Sequence, residues 1–413
     1  MPAPPCKQIT QCRVSGSPHL VAVLDLGMQE LTGVFPRSAA HAVTSGPLQL
    51  VWCPDCGLLQ LNHSYDPSEM YGDNYGYRSG LNQSMVRHLE AKVRRLQTRM
   101  GLKAGDAVLD IGSNDATLLK AYDIPGLERI GIDPTGVKFK HCYTSDIHLV
   151  IDFFTRENFE RVSSKKARIV TSIAMFYDLE NPVDFARQIG AILADDGIWH
   201  FEQSYMPSML RTNSYDTICH EHLEYYSLAV LKTIVEKAGL MILDVQMNAV
   251  NGGSFAVSVC KEGARYKPDT AMIDWLLEQE RRMGLETPRP FREFEERVFR
   301  HREDLRRLIR SLVRDGKRIL GYGASTKGNV LLQFCGLTPE EIPAIADVNS
   351  DKFGCVTPGT HIPIVSEEDA RAMKPDFFLV LPWHFKAGIV ERERDFLERG
   401  GRMIFPFPEI EIV

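Results

Sequence analysis

The sequence predicts an α/β protein in which a small cysteine-bearing N-terminal domain precedes two Rossmann-like units. Short apolar runs alternate with helical patterns over residues 101–265, and the same alternation returns from residue 316 to the end. Strands separated by helices form a parallel, doubly wound sheet whose two faces are both covered. Because 413 residues exceed what one core ordinarily holds, we expect three domains, at 1–80, 81–265 and 266–413.

The composition is typical of a globular protein, with 44% hydrophobic and 25% charged residues. The net charge of −6 argues against the broad basic surface that nucleic acids or anionic lipids require, so we expect neither as a partner. No apolar run approaches the roughly 20 residues that cross a bilayer, and the N-terminus lacks the features of a secretory signal. We therefore expect a cytoplasmic protein with reduced cysteines.

The individual strands are predicted from short apolar runs that loop residues bound. They are 20–26 and 48–52 in the first block, 107–111, 129–133, 169–173, 197–201, 241–245 and 254–260 in the second, and 318–322, 342–347, 377–381 and 403–406 in the third. Helical spacing predicts a helix over 81–100. A charged helical region over 271–314, interrupted at Pro288 and Pro290, connects the two Rossmann-like units, and its charges indicate solvated faces.

The segment Val108–Leu119 predicts the main cofactor pocket, because a strand there ends in a glycine and a helix follows. Ligands of α/β sheets bind beyond the carboxyl ends of the strands. A dinucleotide needs three spaced glycines, but only Gly112 is present, which favours S-adenosyl-L-methionine (SAM), a ligand without phosphate. Asp133, 21 positions later, is placed to accept hydrogen bonds from the ribose; alternatively, Gly112 is a tight turn and Asp133 a helix cap. The predicted SAM-binding residues are Asp110, Gly112, Ser113, Asn114, Asp115, Asp133 and Pro134.

Four of the nine cysteines lie in the first 56 residues. Cys53 and Cys56 form a CxxC pair before a glycine, which is typical of a structural zinc site. Upstream, Cys12 stands where a second pair would begin, but Ser15 occupies the position of its second thiol. The sequence predicts zinc on Cys12, Cys53 and Cys56. It leaves open whether Cys6 or His19 completes the site, whether three thiolates suffice, or whether zinc is lost.

The densest polar cluster is Ser214–Tyr226, where His220, Glu221, His222 and Glu224 lie within five residues. A histidine beside a carboxylate suits general acid–base catalysis, and a metal role is disfavoured because no HExxH pattern accompanies it. If the segment is a helix after Asp216, these residues are alternatively helix-capping and core polar groups.

Three further segments supply candidate site residues. Asp178 follows a predicted strand on the ligand side of the sheet. The aromatic loop at 71–78 contains Tyr75 and Tyr77, which either contact a ligand ring or fill the core, and Asn251 lies in a turn before the last strand of the second block.

In the third block, a glycine-rich loop over 321–328 lies between a strand and a helix. Backbone amides and Lys327 at a helix N-terminus are typical of an anion site, for which a nucleotide diphosphate is the expected ligand. The loop lacks the Walker spacing and the third dinucleotide glycine. Tyr322 within the loop, together with Lys352 and His384 further on, is expected on the same face.

Together, the ordered motifs resemble those of the bacterial sugar C-methyltransferase family, which methylates nucleotide-linked 4-keto-6-deoxyhexoses. They are the CxxC segment 52–58, the Ile111–Asp115 loop, the Glu221–His222 pair and the GYGASTK segment 321–327. The resemblance covers nearly the whole chain and implies a class I Rossmann-like SAM methyltransferase core, an N-terminal zinc-binding domain and a C-terminal domain that binds a nucleotide-linked keto-deoxysugar.

The resemblance also implies roles for individual residues. His222 is the expected base that removes a proton next to the ketone, Glu221 its orienting partner, and Tyr75 or Tyr77 a contact of the sugar. This chain departs from the family pattern at Ser15, Asp178, Cys219 and Asn251. These departures bear on which substrate the protein accepts. The predicted catalytic residues are His222, Glu221, Asp178, Tyr75 and Tyr77, and the predicted substrate-binding residues are His220, Cys219, Asn251, Lys327, Tyr322 and His384.

Other functions remain compatible with parts of the sequence. O- or N-methylation uses the same cofactor and needs no ketone. An NAD-dependent sugar-nucleotide enzyme would use the third block, but neither glycine-rich loop has the full fingerprint. A zinc-knuckle RNA-modifying protein is disfavoured by the acidic net charge. We expect a monomer or a homodimer.

Overall fold

A computed structural model describes residues 6–71 and 77–413. These residues form four β-sheets of two, four, seven and six strands. In this part of the chain, no helix combines the length and the apolarity that a bilayer span requires.

The N-terminal region is a meander of antiparallel strands. β2, β3 and β4 pair in order, and β1 pairs separately with β5. The inward-facing residues of β2 and β3 alternate with exposed ones, as expected for a sheet with one buried face. The elements are β1 (Cys6–Gln8), β2 (Val21–Glu30), β3 (Ser45–Trp52), β4 (Leu59–Leu61), β5 (His63–Tyr65) and α1 (Pro67–Met70).

The middle region is a seven-stranded sheet with helices on both faces. Its elements are α2 (Gln83–Met100), β6 (Ala107–Ile111), α3 (Thr117–Lys120), β7 (Glu128–Ile132), α4 (Gly136–Phe139), β8 (Ile147–Val150), α5 (Arg156–Glu160), β9 (Ala167–Ile173), α6 (Pro182–Ile192), β10 (Leu193–Ser204), α7 (Met206–Thr212), β11 (Glu224–Tyr225), α8 (Leu228–Lys237), β12 (Leu240–Asn248) and β13 (Ser254–Lys261). The strand order is β12-β13-β10-β9-β6-β7-β8. β6 lies at its centre, where the strand order reverses, so the loop after β6 opens at the switch point that ligands of such sheets occupy.

The prediction of an all-parallel middle sheet is wrong at one edge. β6 to β10 run parallel, but β13 runs antiparallel to β10, and β12 antiparallel to β13. The reason is the short connection from Asn248 to Ser254, which permits only a hairpin, whereas a parallel pair needs a crossover of a dozen or more residues.

Two long helices, α9 (Thr270–Met283) and α10 (Arg289–Arg314), connect the middle and C-terminal regions. Gly284 ends α9 in the left-handed conformation, and Pro288 and Pro290 begin α10 rather than interrupt it. Proline suits the first turn because the amide it lacks has no intrahelical partner there. The buried face of α10 consists of Phe291, Phe294, Val298, His301, Leu305 and Ile309.

The C-terminal region is a second doubly wound unit, with strand order β16-β15-β14-β17-β18-β19. All neighbouring strands pair in parallel except β19. The elements are β14 (Ile319–Tyr322), α11 (Thr326–Cys335), β15 (Ile345–Asp347), β16 (Ile364–Ser366), α12 (Glu367–Ala372), β17 (Phe377–Val380), α13 (Lys386–Arg392), α14 (Arg394–Glu398), β18 (Arg402–Phe405) and β19 (Glu411–Ile412).

The three regions are joined through shared packing. One hydrophobic cluster contains residues of β2 to β4, of α10 and of the whole C-terminal sheet. Polar contacts tie α11 to the N-terminal region: Asn329 Nδ2 donates to the carbonyl of Thr32 at 2.7 Å, and the side chain of Gln333 accepts from the amide of Glu30 at 2.8 Å. The N-terminal and C-terminal regions are therefore neighbours in space although the middle sheet separates them in sequence.

Candidate active site and metal site

The loop after β6 turns sharply at the carboxyl edge of the middle sheet. Gly112, Asn114 and Ala116 all have positive φ, of 71°, 49° and 61°. A Cβ on Gly112 would also lie 3.2 Å from the Met175 side chain, so this position favours glycine for two reasons. The predicted cofactor loop thus lies at the predicted edge.

Asp133 fastens this loop to the end of β7. Its Oδ2 accepts from the amide of Asn114 at 2.6 Å, and its Oδ1 accepts from the amide and hydroxyl of Thr135, both at 2.6 Å. Burial raises the pKa of Asp133, against the opposing effect of these hydrogen bonds. The carboxylate stands where a ribose contact was predicted, next to Pro134, but it also orients the loop itself, which the sequence did not indicate.

The side chains of Asn114 and Asp115 face the segment before α2. Asn114 Oδ1 accepts from the amide of Ser79 at 3.0 Å, and Asp115 Oδ2 accepts from the amide of Gly80 at 3.0 Å. These two predicted cofactor residues therefore join the loop to residues 79–80. Cofactor contacts from them would come mainly from the backbone.

Asp110 and Ser113 are both buried beneath the loop. Thr171 on β9 donates its hydroxyl to Asp110 Oδ1 at 2.6 Å, and burial raises the pKa of Asp110 to about 7. Ser113 Oγ lies 2.7 Å from the hydroxyl of Tyr143, a residue that sequence patterns did not single out.

The predicted aromatic loop is described only in part. Tyr77 is half exposed, and its carbonyl accepts from Asn114 Nδ2 at 3.3 Å, which places it beside the cofactor loop. Tyr75 lies outside the described residues, so its role stays a prediction.

The histidine cluster is not helical. Residues 215–217 form a 3-10 turn, an irregular segment follows, and β11 then pairs antiparallel with β4 of the N-terminal sheet. The helical spacing of His220 and Glu224 is therefore irrelevant, because pairing between distant segments determines the local conformation here. The cluster is clamped between the middle and N-terminal regions.

One ring nitrogen of His222 is hydrogen-bonded to the backbone, and the other carries a lone pair. Its Nδ1 lies 2.8 Å from the carbonyl oxygen of Thr217, so Nδ1 carries the proton and Nε2 is unprotonated in the neutral ring. The ring packs against Tyr177, with 4.3 Å between centroids. Burial, followed by the charge of Lys327, lowers the pKa of His222 to about 3. The imidazole is therefore neutral at physiological pH.

Glu221 is not the residue that orients His222 Nδ1, because the Thr217 carbonyl has that position. The Glu221 carboxyl points instead at Gly33 of the N-terminal region, where a Cβ would lie 2.0 Å from Oε1. Burial raises the pKa of Glu221. The expectation that Glu221 orients His222 is thus corrected. The Thr217 carbonyl fixes the tautomer of His222, and the Glu221 carboxyl packs against Gly33 of the N-terminal region.

The structure does not support a substrate contact for His220, whose ring is fully buried and packs edge-to-face on Tyr65, with 4.7 Å between centroids. Cys219 is also fully buried, within the hydrophobic cluster that the N-terminal and C-terminal regions share. Burial, followed by the charge of Glu221, raises the pKa of the Cys219 thiol well above its ordinary value, so the thiol lies beside the Glu221 carboxyl. A substrate contact of Cys219 stays a prediction.

Asp178 lies in the turn after β9, close to two other acids. Burial raises its pKa well above the ordinary value; a hydrogen bond with Tyr71 opposes the shift, and the charges of Glu221 and Glu224 add to it. Burial first, and the neighbouring like charges second, therefore both favour the protonated form of Asp178.

Lys327 extends from the first turn of α11 toward the middle region. Its Nζ donates to the carbonyl of Asn251 at 3.2 Å, and Asn251 presents that carbonyl from a left-handed backbone with φ 55°. Burial lowers the pKa of Lys327, while Asp216 opposes the shift. Asp216 in turn accepts from Trp383 Nε1 at 2.8 Å. The sequence indicated Asp216 only as the start of a helix and did not single out Tyr177 or Trp383, because contacts between distant segments bring these side chains to the site.

The glycine-rich loop of the C-terminal region is not an open cradle of amides. The amide of Ala324 donates to Asp347 Oδ2 at 2.7 Å, and the amide of Gly328 donates to Ser325 Oγ at 3.0 Å. Lys352 Nζ donates to the Ala324 carbonyl at 2.7 Å. Any anion binding at this loop therefore depends on the Lys327 side chain more than on these amides.

The Tyr322 side chain makes its polar contacts inside the C-terminal unit. Its hydroxyl donates to Glu393 Oε1 at 2.9 Å and also contacts Arg392, inside the C-terminal unit. The predicted substrate contact of Tyr322 is therefore wrong. His384 does lie near Lys327. Burial, followed by the charge of Lys327, lowers the pKa of His384 to about 3.

The sulfur atoms of Cys12, Cys53 and Cys56 lie within 4.8 Å of one another. Cys12 Sγ is 3.5 Å from Cys56 Sγ. The Cys56 thiol, as a hydrogen-bond donor, lowers the pKa of Cys12 to about 4, so one sulfur is already disposed to be a thiolate. Three sulfurs at this spacing fit a tetrahedral zinc ion, which prefers thiolate ligands at about 2.3 Å.

Comparison with known proteins identifies the family. The chain is 34% identical over 411 residues, 98% of its length and 97% of the relative's, to the C-methyltransferase NovU of Streptomyces niveus. The chain belongs to the C-methyltransferase family. Three family models also match consecutive segments of this C-methyltransferase: a "Putative zinc binding domain" at 12–71, a "Methyltransferase domain" at 85–245 and a "C-methyltransferase C-terminal domain" at 249–408.

Family membership confirms the resemblance that the ordered motifs indicated, and it decides the reaction class. The C-methyltransferase uses SAM as its methyl donor, and its N-terminal domain is a zinc-binding domain with Cys12, Cys53 and Cys56 as the matching ligand set. The O-methylation, N-methylation and NAD-dependent alternatives are therefore not the reaction class of this chain.

Solved methyltransferase structures align with less than half of this chain. A SAM-dependent methyltransferase of Clostridium acetobutylicum aligns with a TM-score of 0.33 and 12% identity, covering 43% of this chain and 92% of that one. The plantazolicin methyltransferase BpumL, in complex with a pentazolic desmethylPZN analogue and SAH, aligns with a TM-score of 0.35 and 13% identity, covering 45% and 88%.

Proposed function

We propose that this C-methyltransferase methylates a carbon next to the ketone of a nucleotide-linked keto-deoxysugar, in the biosynthesis of a branched-chain sugar. The observation that supports the proposal is that His222 and Lys327 lie close enough for the Lys327 charge, after burial, to help lower the pKa of His222. One offers a neutral nitrogen with a free lone pair, and the other a buried positive charge. Base and cation together suit the formation of an enolate.

His222 is the proposed base. Nε2 takes the proton from the carbon next to the ketone, and the electron pair of that C–H bond moves into the enolate. The Thr217 carbonyl keeps the ring in the required tautomer. A pKa of about 3 makes this imidazole a weak base, so the acidity of the substrate carbon must be raised by another group.

Lys327 is the proposed stabiliser of the enolate oxygen. A buried ammonium interacts strongly with a developing negative charge because little water screens it. The charge of Asp216 favours the ammonium form of Lys327, and the Asn251 carbonyl accepts from Nζ at 3.2 Å, which uses one of its three protons. The remaining donors are available to a ketone oxygen.

The loop after β6 is proposed to hold SAM, whose sulfonium supplies an electrophilic methyl group when it is bound. Asp133 is the proposed ribose contact, and Gly112 is proposed to let the backbone approach the ligand closely. The nucleotide of the substrate is proposed to lie on the C-terminal unit, where His384 and Lys327 share one face. Bound SAM would supply the methyl group to the carbon that His222 deprotonates, and its sulfonium would be released as a thioether.

The experiment combines methyl transfer with hydrogen exchange. The protein is incubated with methyl-labelled SAM and a panel of dTDP-, GDP- and CDP-linked 4-keto-6-deoxysugars, and exchange of the proton next to the ketone is followed by NMR in deuterium oxide. We expect one nucleotide sugar to gain label. We expect its proton to exchange in the presence of S-adenosylhomocysteine, when no methyl group is available.

His222→Ala should abolish exchange and methylation together, whereas the control His148→Ala, which alters an exposed histidine on β8, should leave both unchanged. If His222→Ala exchanges the proton at the wild-type rate, His222 is not the base. If no sugar of the panel gains label but an RNA or another small molecule does, the proposed substrate class is wrong.

A further inference from the structure

The two cysteine-bearing turns of the zinc-binding domain have the same backbone conformation. In residues 12–16, the amide of Gly16 donates to the Cys12 carbonyl at 2.8 Å, and in residues 53–57, the amide of Gly57 donates to the Cys53 carbonyl at 2.8 Å. The two glycines have φ of 73° and 81°. Each turn is therefore a knuckle that presents its first and fourth side chains to one point.

The next residue extends the equivalence. The amide of Cys12 donates to the carbonyl of Ser17, and the amide of Cys53 donates to the carbonyl of Leu58, both at 2.8 Å. Cys12 thus corresponds to Cys53, and Ser15 corresponds to Cys56. The backbone builds four ligand positions although the sequence supplies only three thiols.

The Ser15 hydroxyl occupies the fourth position at ligand distance. Ser15 Oγ lies 3.4 Å from Cys53 Sγ, just as Cys12 Sγ lies 3.5 Å from Cys56 Sγ. With zinc–sulfur bonds of about 2.3 Å and zinc–oxygen bonds of about 2.0 Å, tetrahedral ligands stand about 3.5 to 3.8 Å apart. The amide of Ser17 donates to Ser15 Oγ at 3.2 Å and holds the oxygen in place.

The other two candidates for the fourth ligand are unsuitable. Cys6 lies on β1, which pairs with β5, and it is not part of the three-sulfur cluster. The His19 side chain is 73% exposed, and its Nδ1 lies 3.3 Å from Asp55. Neither residue is held near the sulfur atoms.

We propose that zinc in this protein is bound by three cysteine thiolates and by the hydroxyl of Ser15. A hydroxyl is a weaker ligand than a thiolate, and the site carries one negative charge fewer than a four-thiolate site. The zinc ion is therefore more readily exchanged than it would be with four sulfurs. This inference is independent of the methyl acceptor.

The test uses the full-length protein, its Ser15→Cys and Ser15→Ala variants, and the matched control Ser17→Ala. This control removes a nearby hydroxyl and its hydrogen bond to Asp55 but keeps the Ser17 backbone amide and carbonyl that the knuckle uses. Zinc K-edge absorption should show three sulfurs at about 2.3 Å and one oxygen at about 2.0 Å in the wild type, and four sulfurs in Ser15→Cys. Release of zinc to a colorimetric chelator should be at least tenfold slower in Ser15→Cys and severalfold faster in Ser15→Ala. Ser17→Ala should release zinc at the wild-type rate.

Two results would overturn the proposal. Four sulfurs, or a nitrogen ligand, in the wild type would assign the fourth position to Cys6 or His19. Unchanged release in Ser15→Ala would assign it to a water molecule. Substitution of the metal by cadmium and ¹¹³Cd NMR gives the ligand count independently of release, so a variant that folds poorly does not leave the question open.

Discussion

At the scale of single residues, a substitution of Lys327 distinguishes two roles for its ammonium group: stabilising the enolate oxygen, or binding the phosphates of the nucleotide. Lys327→Met should lower kcat by roughly 100- to 1,000-fold if the ammonium stabilises the enolate oxygen, as loss of one such donor does elsewhere. The affinity for the free nucleoside diphosphate, measured by calorimetry, should change little. A large loss of diphosphate affinity with unchanged proton exchange would instead make Lys327 a phosphate ligand, as the sequence pattern alone suggests.

Gly33 is a residue whose importance lies in the side chain it lacks. Gly33→Ala would place a Cβ 2.0 Å from Glu221 Oε1, so we expect a loss of about 1–3 kcal/mol in the free energy of unfolding. Methyl transfer should fall as well, since Glu221 neighbours His222. Urea denaturation measures the first effect. The control Gly388→Ala, in an exposed helical position with open space around it, should be neutral or slightly stabilising; equal effects of both would contradict the argument.

At this scale, the sequence indicates some residues of the candidate site and does not indicate others. The three cysteines lie together as the CxxC spacing predicted, whereas the roles of His222 and Asp133 stay predictions. Sequence reasoning could not find Thr217 as the partner of Nδ1, because a backbone carbonyl has no residue signature. It assigned His220 and Tyr322 to the substrate because a sequence does not show in which direction a side chain points.

At the scale of elements, α2 and β10 are joined by a buried polar network. Glu202 Oε2 accepts from Lys92 Nζ at 2.9 Å and from Asn248 Nδ2 at 2.7 Å, and Glu202 Oε1 lies 2.6 Å from His88 Nε2. Glu202→Gln would leave the Lys92 ammonium buried without its counter-charge, so the free energy of unfolding should fall by about 3–5 kcal/mol. The exposed pair Lys232–Glu236 is the control: Glu236→Gln should cost less than about 1 kcal/mol.

The same network predicts the direction of acid denaturation. Burial alone would raise the pKa of Glu202, but the hydrogen bond from His88 and the charge of Lys92 outweigh it and lower the pKa to about 2. A glutamate in the unfolded chain has a pKa of about 4.3. Its contribution to stability is therefore complete above that pH and is lost as the pH falls toward 2. Urea midpoints measured from pH 6 to pH 2.5 should fall more steeply in the wild type than in Glu202→Gln; parallel curves would contradict this.

The elements that the sequence predicted are those with enough apolar residues to show a pattern. The central strands of both Rossmann-like units are of this kind, and their bounds differ from the structure by a few residues. β4, β5, β11, β16 and β19 have only two or three residues each, and such strands exist because a neighbour offers hydrogen-bond partners. β11 is the clearest case: a helix was one of the alternatives for its sequence, and its pairing with the edge of β4 makes it a strand.

At the scale of the whole molecule, the N-terminal and C-terminal regions share one core. The hydrophobic cluster that contains β2 to β4 also contains the C-terminal sheet, whereas most of the methyltransferase sheet has its own clusters. We therefore expect β2 to β4 and α11 to lose protection in a single transition as urea rises. Hydrogen exchange followed by mass spectrometry measures this directly. Exposure of β2 and β3 at a clearly lower urea concentration than α11 would show that the N-terminal region is an independent unit.

The pairing of β11 with β4 bears on how the chain matures on the ribosome. The two strands lie about 160 residues apart in sequence, so the N-terminal sheet emerges with one edge open and keeps it open until half of the protein has been made. An unpaired edge invites pairing with another nascent chain. β4 spans only three residues, so a strand from another chain can form few hydrogen bonds with it. The segment that carries the histidine is thus also the segment that closes the first sheet, and catalytic competence and protection from aggregation arrive with the same stretch of chain.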